Sequence, residues 1–409
     1  MASVTIVGSG SQSIRLSFDA TANYALAQKI AQQINQGVAG GKIVTSTDGT
    51  VPLAHGVTGA YLQTLPGFVS LPTGYTSDLI NVANFGSADV FSFSGAAGQK
   101  ILSDENTDLT FTAPTGSGTV VAGGGNNQLR VGGPGSWSLN TGSGNDIIAA
   151  TGSGNNTIEA GGGNNAISLG SGHDLIISVG NDSILGGSGA ETVDARGGGK
   201  DYVQGGASDL LFVGGSAGAT IFGGSGSDTY FGSTGLHVGK QLVVGGSEGN
   251  NLLWAGNGAA TLIGGGNKDQ LFAYGQQNQV LTAASGNETL SAAFSSGNDS
   301  LQAGSGSDQL IAGTGADTFV GGRGADTVSA GPGADVYAFI KGHAGGTEFV
   351  QGIFDPSAIR ISLQGYGPRE VAEALASQHV TAGSVTIGLS DGTKITFQNV
   401  TALHQTNFV

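Results

Sequence analysis

Five aspartates stand nine residues apart toward the C-terminal end of the chain: Asp299, Asp308, Asp317, Asp326 and Asp335. A glycine lies two residues before each, at Gly297, Gly306, Gly315, Gly324 and Gly333. A second glycine lies four residues before the last four, at Gly304, Gly313, Gly322 and Gly331. Two residues after each aspartate comes an apolar or aromatic side chain, Leu301, Leu310, Phe319, Val328 or Tyr337. Carboxylates beside glycine turns, whose carbonyls no side chain obstructs, offer the hard oxygens that Ca²⁺ collects six to eight at a time. Isolated aspartates such as Asp48 and Asp391 read as turn formers, whereas five in one register with glycines in phase read as calcium ligands.

The elements that position these carboxylates follow from the period. The string reproduces the nonapeptide G-G-x-G-x-D-x-U-x of stacked β-rolls, with the first glycine relaxed to Ala303, Ala312 or Ala330 and kept at Gly321. The glycine half is expected to turn with positive φ, and the other half, as in Asp308-Gln309-Leu310-Ile311-Ala312, to form a short strand whose apolar residue enters a thin core. Two nonapeptides close one coil, which puts Asp299, Asp317 and Asp335 on one edge and Asp308 and Asp326 on the other. Two full charges at the ~4.8 Å strand spacing repel by about 0.9 kcal/mol in bulk water and ~3.5 kcal/mol at an effective dielectric of 20. A calcium ion between rungs reverses that sign and makes metal binding part of the folding free energy.

Upstream the pulse persists in worn form, with Asn127, Asp146, Asn156, Asn165, Asp174, Asp182, Glu191, Asp201, Asp209, Asp228, Asn251, Asp269 and Glu288 at the aspartate position. Three near-coil pairs keep two acids: Asp174/Glu191, Asp182/Asp201 and Asp209/Asp228. Elsewhere Asn, or Ala219 and Ala260, weakens or deletes the site, and Asn side chains in a stack bond to one another instead. This stretch reads as mainly metal-independent scaffold. Residues 297–339 resemble the repeats-in-toxin (RTX) calcium-binding β-roll family, strongly there and in degenerate form over about 115–296. That resemblance implies export by a type I (ABC-transporter) apparatus of a Gram-negative bacterium, an uncleaved C-terminal signal and calcium-triggered folding outside the cell.

Composition agrees with a repeat array. Glycine fills 77 of 409 positions, about 19% against a usual ~7%, and charged residues only 11% against ~25%. Hydrophobic residues at 38% leave too much apolar surface for a disordered chain. A net charge of −15 argues against nucleic acid or an anionic membrane as partner, and no run of about 18 apolar residues spans a membrane. With no cysteine, disulfides and thiol catalysis are excluded. The first residues show no basic segment followed by an apolar run, so no secretory signal peptide is expected there.

The expected fold is therefore mainly β: a parallel β-roll or β-solenoid of about twelve coils over residues 113–340, a small α+β cap or recognition domain over 1–112, and a C-terminal capping and secretion region over 341–409. In the first of these ends, Val4–Val7 and Ser13–Phe18 alternate as strands and Asp19 is placed to cap a helix from Ala20 to Gln36 that ends at Gly37. Leu79–Val82, Asp89–Phe93 and Leu109–Phe111 read as further strands, and Tyr61, Phe68, Tyr75 and Phe85 as a contact surface. In the last, Pro368–His379 has helical spacing, and Val385–Leu389 and Ile395–Phe397 flank an Asp391-Gly392 turn as a hairpin.

No catalytic constellation is expected. The two G-x-S-x-G strings, Gly214–Gly218 and Gly245–Gly249, are chance products of a Gly/Ser-rich array. No H-E-x-x-H occurs, and the six histidines have no ligand spacing. The leading expectation is a non-enzymatic, self-associating structural protein of a cell surface or extracellular matrix, with extracellular polysaccharide and the exporter as further partners. The alternative is a carbohydrate- or surface-binding adhesin with its specificity in the N-terminal domain. A polysaccharide-processing β-helix enzyme ranks third, because Lys and Arg total 14 in the whole chain.

Overall fold

A computed structural model describes residues 2–82, 87–92, 95–353 and 355–409. The chain forms two compact units, Met1–Ser208 and Asp209–Val409. Both are parallel β-solenoids, built for the same reason: a four-residue strand buries one apolar side chain, which is worth nothing alone and becomes a core when stacked.

In the first unit one face is made of Gln99–Ser103, Gly118–Val121, Trp137–Asn140, Thr157–Glu159, Asp174–Ile177 and Glu191–Asp194, each pairing parallel with the next. The other runs from Asp108–Ala113 through Gln128–Val131, Ile147–Ala150, Asn164–Leu169 and Asn181–Leu185 to Asp201–Gln204. Register aligns one inward residue per strand. Val120, Leu139, Ile158, Ile176 and Val193 form one column and Leu129, Ile148, Ile167, Ile184 and Val203 the other, all buried.

The parallel stack starts well before residue 113. Ile43–Ser46 already pairs with Thr58–Gln63, then Tyr75–Ile80, then Gln99–Ser103, and Gly67–Ser70 pairs with Ser87–Phe91 and then Asp108–Ala113. The solenoid consequently has about 16 turns in place of the expected twelve. These early coils keep the inward column, with Ala60 and Ile101 fully buried, but close through longer loops without the glycine signal. Phe93 of the expected strand Asp89–Phe93 and Phe85 of the expected contact surface lie outside the described residues; Tyr75 of that surface is buried, while Phe68 is exposed.

The α+β element is confined to a hairpin, β1 (Ala2–Val7) and β2 (Ser13–Phe18), and one helix, α1 (Thr21–Ala39). Ala27, Ile30, Ala31 and Ile34 of α1 and Ile6, Ile14 and Leu16 of the hairpin pack on Leu62, Leu79, Leu102 and Val121. Those four are one registered column of the sheet's outer face, so this element covers the side of the first coils. Asp19 does not cap α1: its carboxylate accepts from the Ser143 amide and hydroxyl, which ties the helix entry to a solenoid turn. The helix also continues past Gly37, where an added Cβ would lie 2.5 Å from Ile43 Cδ1.

In the second unit one face runs Leu210–Val213, Thr229–Phe231, Leu252–Trp254, Gln270–Gly275, Thr289–Ser295, Gln309–Ile311, Arg323–Ser329 and Thr347–Gln351. The other runs Ala219–Phe222, Gln241–Val244, Ala260–Ile263, Val280–Thr282, Ser300–Gln302, Thr318–Val320, Val336–Ile340 and Arg360–Gln364. Buried rings stack along the core at Phe212/Tyr230 (5.6 Å) and Phe319/Tyr337 (5.7 Å). The stack ends in the expected hairpin, Ser384–Gly388 against Lys394–Phe397, with α2 (Glu370–Ser377) beside it. The edge of Arg360–Gln364 is covered by the chain terminus, where the Val409 amide donates to the Ile361 carbonyl at 2.9 Å. That contact pairs one carbonyl of an edge on which another chain could otherwise add. Among the described residues no helix is long and apolar enough to cross a membrane.

The glycines differ from expectation in mechanism. Positive φ occurs at Gly306 (141°) and Gly324 (144°), but Gly315 and Gly333 on the opposite edge have ordinary backbone angles. What excludes a side chain at Gly315 is the coil before it, because an added Cβ would lie 1.8 Å from the Gly297 carbonyl oxygen. Gly315→Ala should therefore cost about 2–4 kcal/mol. Gly367→Ala, with nothing within 4 Å and no positive φ, should be neutral. Thermal unfolding of the two variants in calcium measures the difference.

Candidate metal centre

Asp299, Asp308, Asp317 and Asp335 each stand immediately before a strand and Asp326 lies within Arg323–Ser329, and all five side chains are turned inward. All five aspartates are at most 4% exposed. One carboxylate oxygen of each accepts the backbone N–H of the preceding rung: Asp299 to Asp317 at 2.9 Å, Asp317 to Asp335 at 3.0 Å and Asp308 to Asp326 at 2.9 Å, donor first. The expected edges are thereby assembled, Asp299/Asp317/Asp335 and Asp308/Asp326. The second oxygens of Asp308, Asp317 and Asp335 accept from the amides of Gly304, Gly313 and Gly331 at 2.8–3.1 Å. Those of Asp299 and Asp326 are buried without a hydrogen-bond partner. Among the described residues no Lys or Arg pairs with any of the five.

The edge through Asp308 is longer than expected. Glu288 donates its amide to Asp308, and Asp326 is in register with Glu348, which gives four successive carboxylates, all buried. Glu348 shows the same signature, an acid two residues before the buried Val350, but it stands 22 residues from Asp326, outside a strict period. Gly297, Gly306, Gly315, Gly324 and Gly333 take the positions two residues earlier, where their carbonyls face the following coil; Gly315 O, for instance, would meet a Cβ on Gly333 at 1.7 Å.

Upstream, other donors stand between the rungs. The Asn156 side-chain amide donates to Asp174 (2.9 Å), Asn165 to Asp182 (2.7 Å), Asn127 to Asp146 (3.0 Å) and Asn251 to Asp269 (2.9 Å). Between Asp182 and Asp201 the Ser178 hydroxyl is within reach of both carboxylates, at 2.6 and 2.8 Å. A second, exposed ladder runs beside this one, with Asn145 and Asn164 each donating to the Asn one coil before. Asp174 and Glu191 are in register, as read from the sequence. Asp209 is not a rung: it is exposed, and the amide that donates to Asp228 is that of Leu210. Leu211, two residues after Asp209, fits the inward position as well as Phe212, which occupies it.

The RTX calcium-binding nonapeptide repeat, as a unit of four copies, matches residues 140–176, 178–199, 211–235, 245–280, 295–328 and 311–338. Those segments of the solenoid are RTX calcium-binding nonapeptide repeats. Comparison with curated proteins and with solved structures gave no match.

RTX repeats bind Ca²⁺, and that ion is this chain's cofactor. The residues fit it. Buried carboxylate oxygens of Asp299 and Asp326 lack a partner, and turn carbonyls lie along the same edges. Among the described residues no three His, Cys, Asp or Glu side chains converge. An ion between rungs would thus take carboxylates from two coils and complete its shell with carbonyls. At the Asn-containing RTX rungs a neutral amide donates to one oxygen of the neighbouring carboxylate, while the second oxygens of Asp146 and Asp174 are buried without a hydrogen-bond partner there too.

Electrostatics set the cost of leaving the ion out. Burial raises the carboxyls of Asp299, Asp317, Asp326 and Asp335 above their ordinary range. Burial, reinforced by the Asp308 carboxylate, pushes Glu288 up to about 8, and burial with Asp326 does the same to Glu348. Burial, with a smaller push from neighbouring carboxylates, holds Asp146, Asp201 and Asp228 at about 6 despite their hydrogen bonds. A carboxyl raised on folding favours the fold while protonated, fully below its unfolded value near 4, and loses that contribution as pH rises through the folded value. Metal-free protein should therefore be most ordered near pH 4–5 and loosen between pH 5 and 8, and calcium should restore order at pH 8 while releasing protons. Circular dichroism against pH, with chelator and with calcium, checks both signs.

Proposed function

We propose that this chain is a secreted, non-enzymatic structural protein of a bacterial cell surface or extracellular matrix, whose RTX array becomes rigid on meeting calcium outside the cell. The observation that carries this reading is the pair of buried carboxylate ladders over residues 288–348, which no Lys or Arg among the described residues pairs with. In a calcium-poor cytoplasm such a segment stays loose, which suits passage through a narrow exporter, and in millimolar calcium it closes. RTX repeat proteins are typically secreted. We take residues 341–409 to carry the type I exporter's address as well as the cap, and the aspartates Asp299, Asp308, Asp317, Asp326 and Asp335, with the carbonyls of their glycines, to be the calcium ligands.

The structural role is supported by what the array offers: long regular faces, a low charged fraction of 11%, and neither G-x-S-x-G string at a strand-to-helix turn. Purified protein in millimolar calcium should assemble into sheets or filaments visible by negative-stain electron microscopy, and chelator should disperse them. A monodisperse monomer in calcium at all concentrations would contradict the assembling role.

A further inference from the structure

The second unit carries a group of aromatic rings that its core does not use. The stacked pairs Phe212/Tyr230 and Phe319/Tyr337 are buried in the core column. Trp254 and Phe272, by contrast, are registered neighbours on the outward side of their strands, half-buried and stacked at 4.8 Å. Phe294 packs on Trp254 at 5.3 Å and remains 57% exposed. It arrives there through a register shift: Phe272 opposes Ser291, but Tyr274 opposes Phe294, so the strand Thr289–Ser295 carries one extra residue. Bulges of this kind re-aim a side chain and recur beside functional sites.

Beside Phe294 lies a cavity of about 620 Å³, a volume suited to a small ligand. Its wall includes Asn257, Tyr274, Gln276, Gln277, Ser295 and Ser296. Among the described residues no Asp, Glu, Lys or Arg lines it, although the chain carries a net charge of −15, and His237 is the one lining side chain that can become a cation. Gln276 and Gln277 are exposed, and among the described residues their side-chain amides make no hydrogen bond within the protein. Flat rings with electron-rich faces attract the C–H bonds of a pyranose ring. Amides and hydroxyls pair with sugar hydroxyls, and the lack of Lys and Arg disfavours an anionic chain.

We propose that Trp254, Phe272, Phe294 and the adjoining cavity bind a neutral oligosaccharide. The site is formed by residues of the second unit's solenoid, and not by the N-terminal domain in which the sequence places a glycan-binding role. It rests on the folded array and not on the assembling role, so either can fail without the other.

The chain has two tryptophans, and Trp137 is buried at 2% exposure, so a change in emission on adding ligand reports Trp254. Full-length protein in calcium is titrated with cellohexaose, laminarihexaose, maltohexaose and, as the anionic comparator, oligogalacturonate. At least one neutral hexasaccharide should shift the emission saturably. Phe294→Ala and Gln277→Ala should each weaken binding at least tenfold while leaving the circular dichroism response to calcium intact. No response to any neutral hexasaccharide at millimolar concentration overturns the proposal. So does oligogalacturonate binding as tightly, or an emission change that follows protein concentration together with dimer sedimentation, which would make the face a self-contact.

Discussion

Parallel stacking at the strand repeat places the same residue of successive coils directly over itself, and everything in this protein answers to that constraint. At an inward apolar position the superposition builds a core from strands three to seven residues long. At the glycine positions it brings a carbonyl so close to the next α-carbon that no side chain fits, as at Gly315. At the last turn residue it aligns polar groups that are buried and must be neutralised from within the stack. Calcium is one answer to that last demand.

The chain uses several answers, and their order along the sequence gives the molecule its polarity of function. In the first unit amides of Asn127, Asn156 and Asn165 and the hydroxyl of Ser178 stand between carboxylates. In the second, Asn251 does the same for Asp269, and beyond it acids follow acids from Glu288 to Glu348 and from Asp299 to Asp335. The same geometry is thus bridged in part by amides and a hydroxyl upstream and left to carboxylates alone downstream. Under the proposed role, a segment bridged by amides is followed in the sequence by one that calcium would stiffen.

Much of this was legible because the chemistry is periodic. The spacing of Asp299 to Asp335 gave the edges, the stacking and the ion. The coils before residue 113 were not legible, since they keep only an inward residue such as Ala60 or Ile101 once per coil and close through loops of varied length. Glu348 escapes because a longer connection breaks the period, and Asp209 is misplaced because Leu211, two residues after it, fits the inward position as well as Phe212, which occupies it. The role of glycine was misjudged for a different reason: φ is a property of one residue, whereas the clash at Gly315 arises only between coils. The aromatic cluster at Trp254 depends on a bulge, which leaves no mark in the sequence.

The central claim is that carboxylate-only rungs require calcium and amide-bridged rungs do not. Hydrogen exchange measured by mass spectrometry at pH 8, with chelator and with calcium, tests it along the whole chain. Calcium should slow exchange strongly over residues 288–348 and little over 127–177, and the effect over 288–348 should be lost in the Asp317→Ala plus Asp326→Ala variant. Equal protection of both stretches by calcium, or an undiminished response in the double variant, would contradict the account.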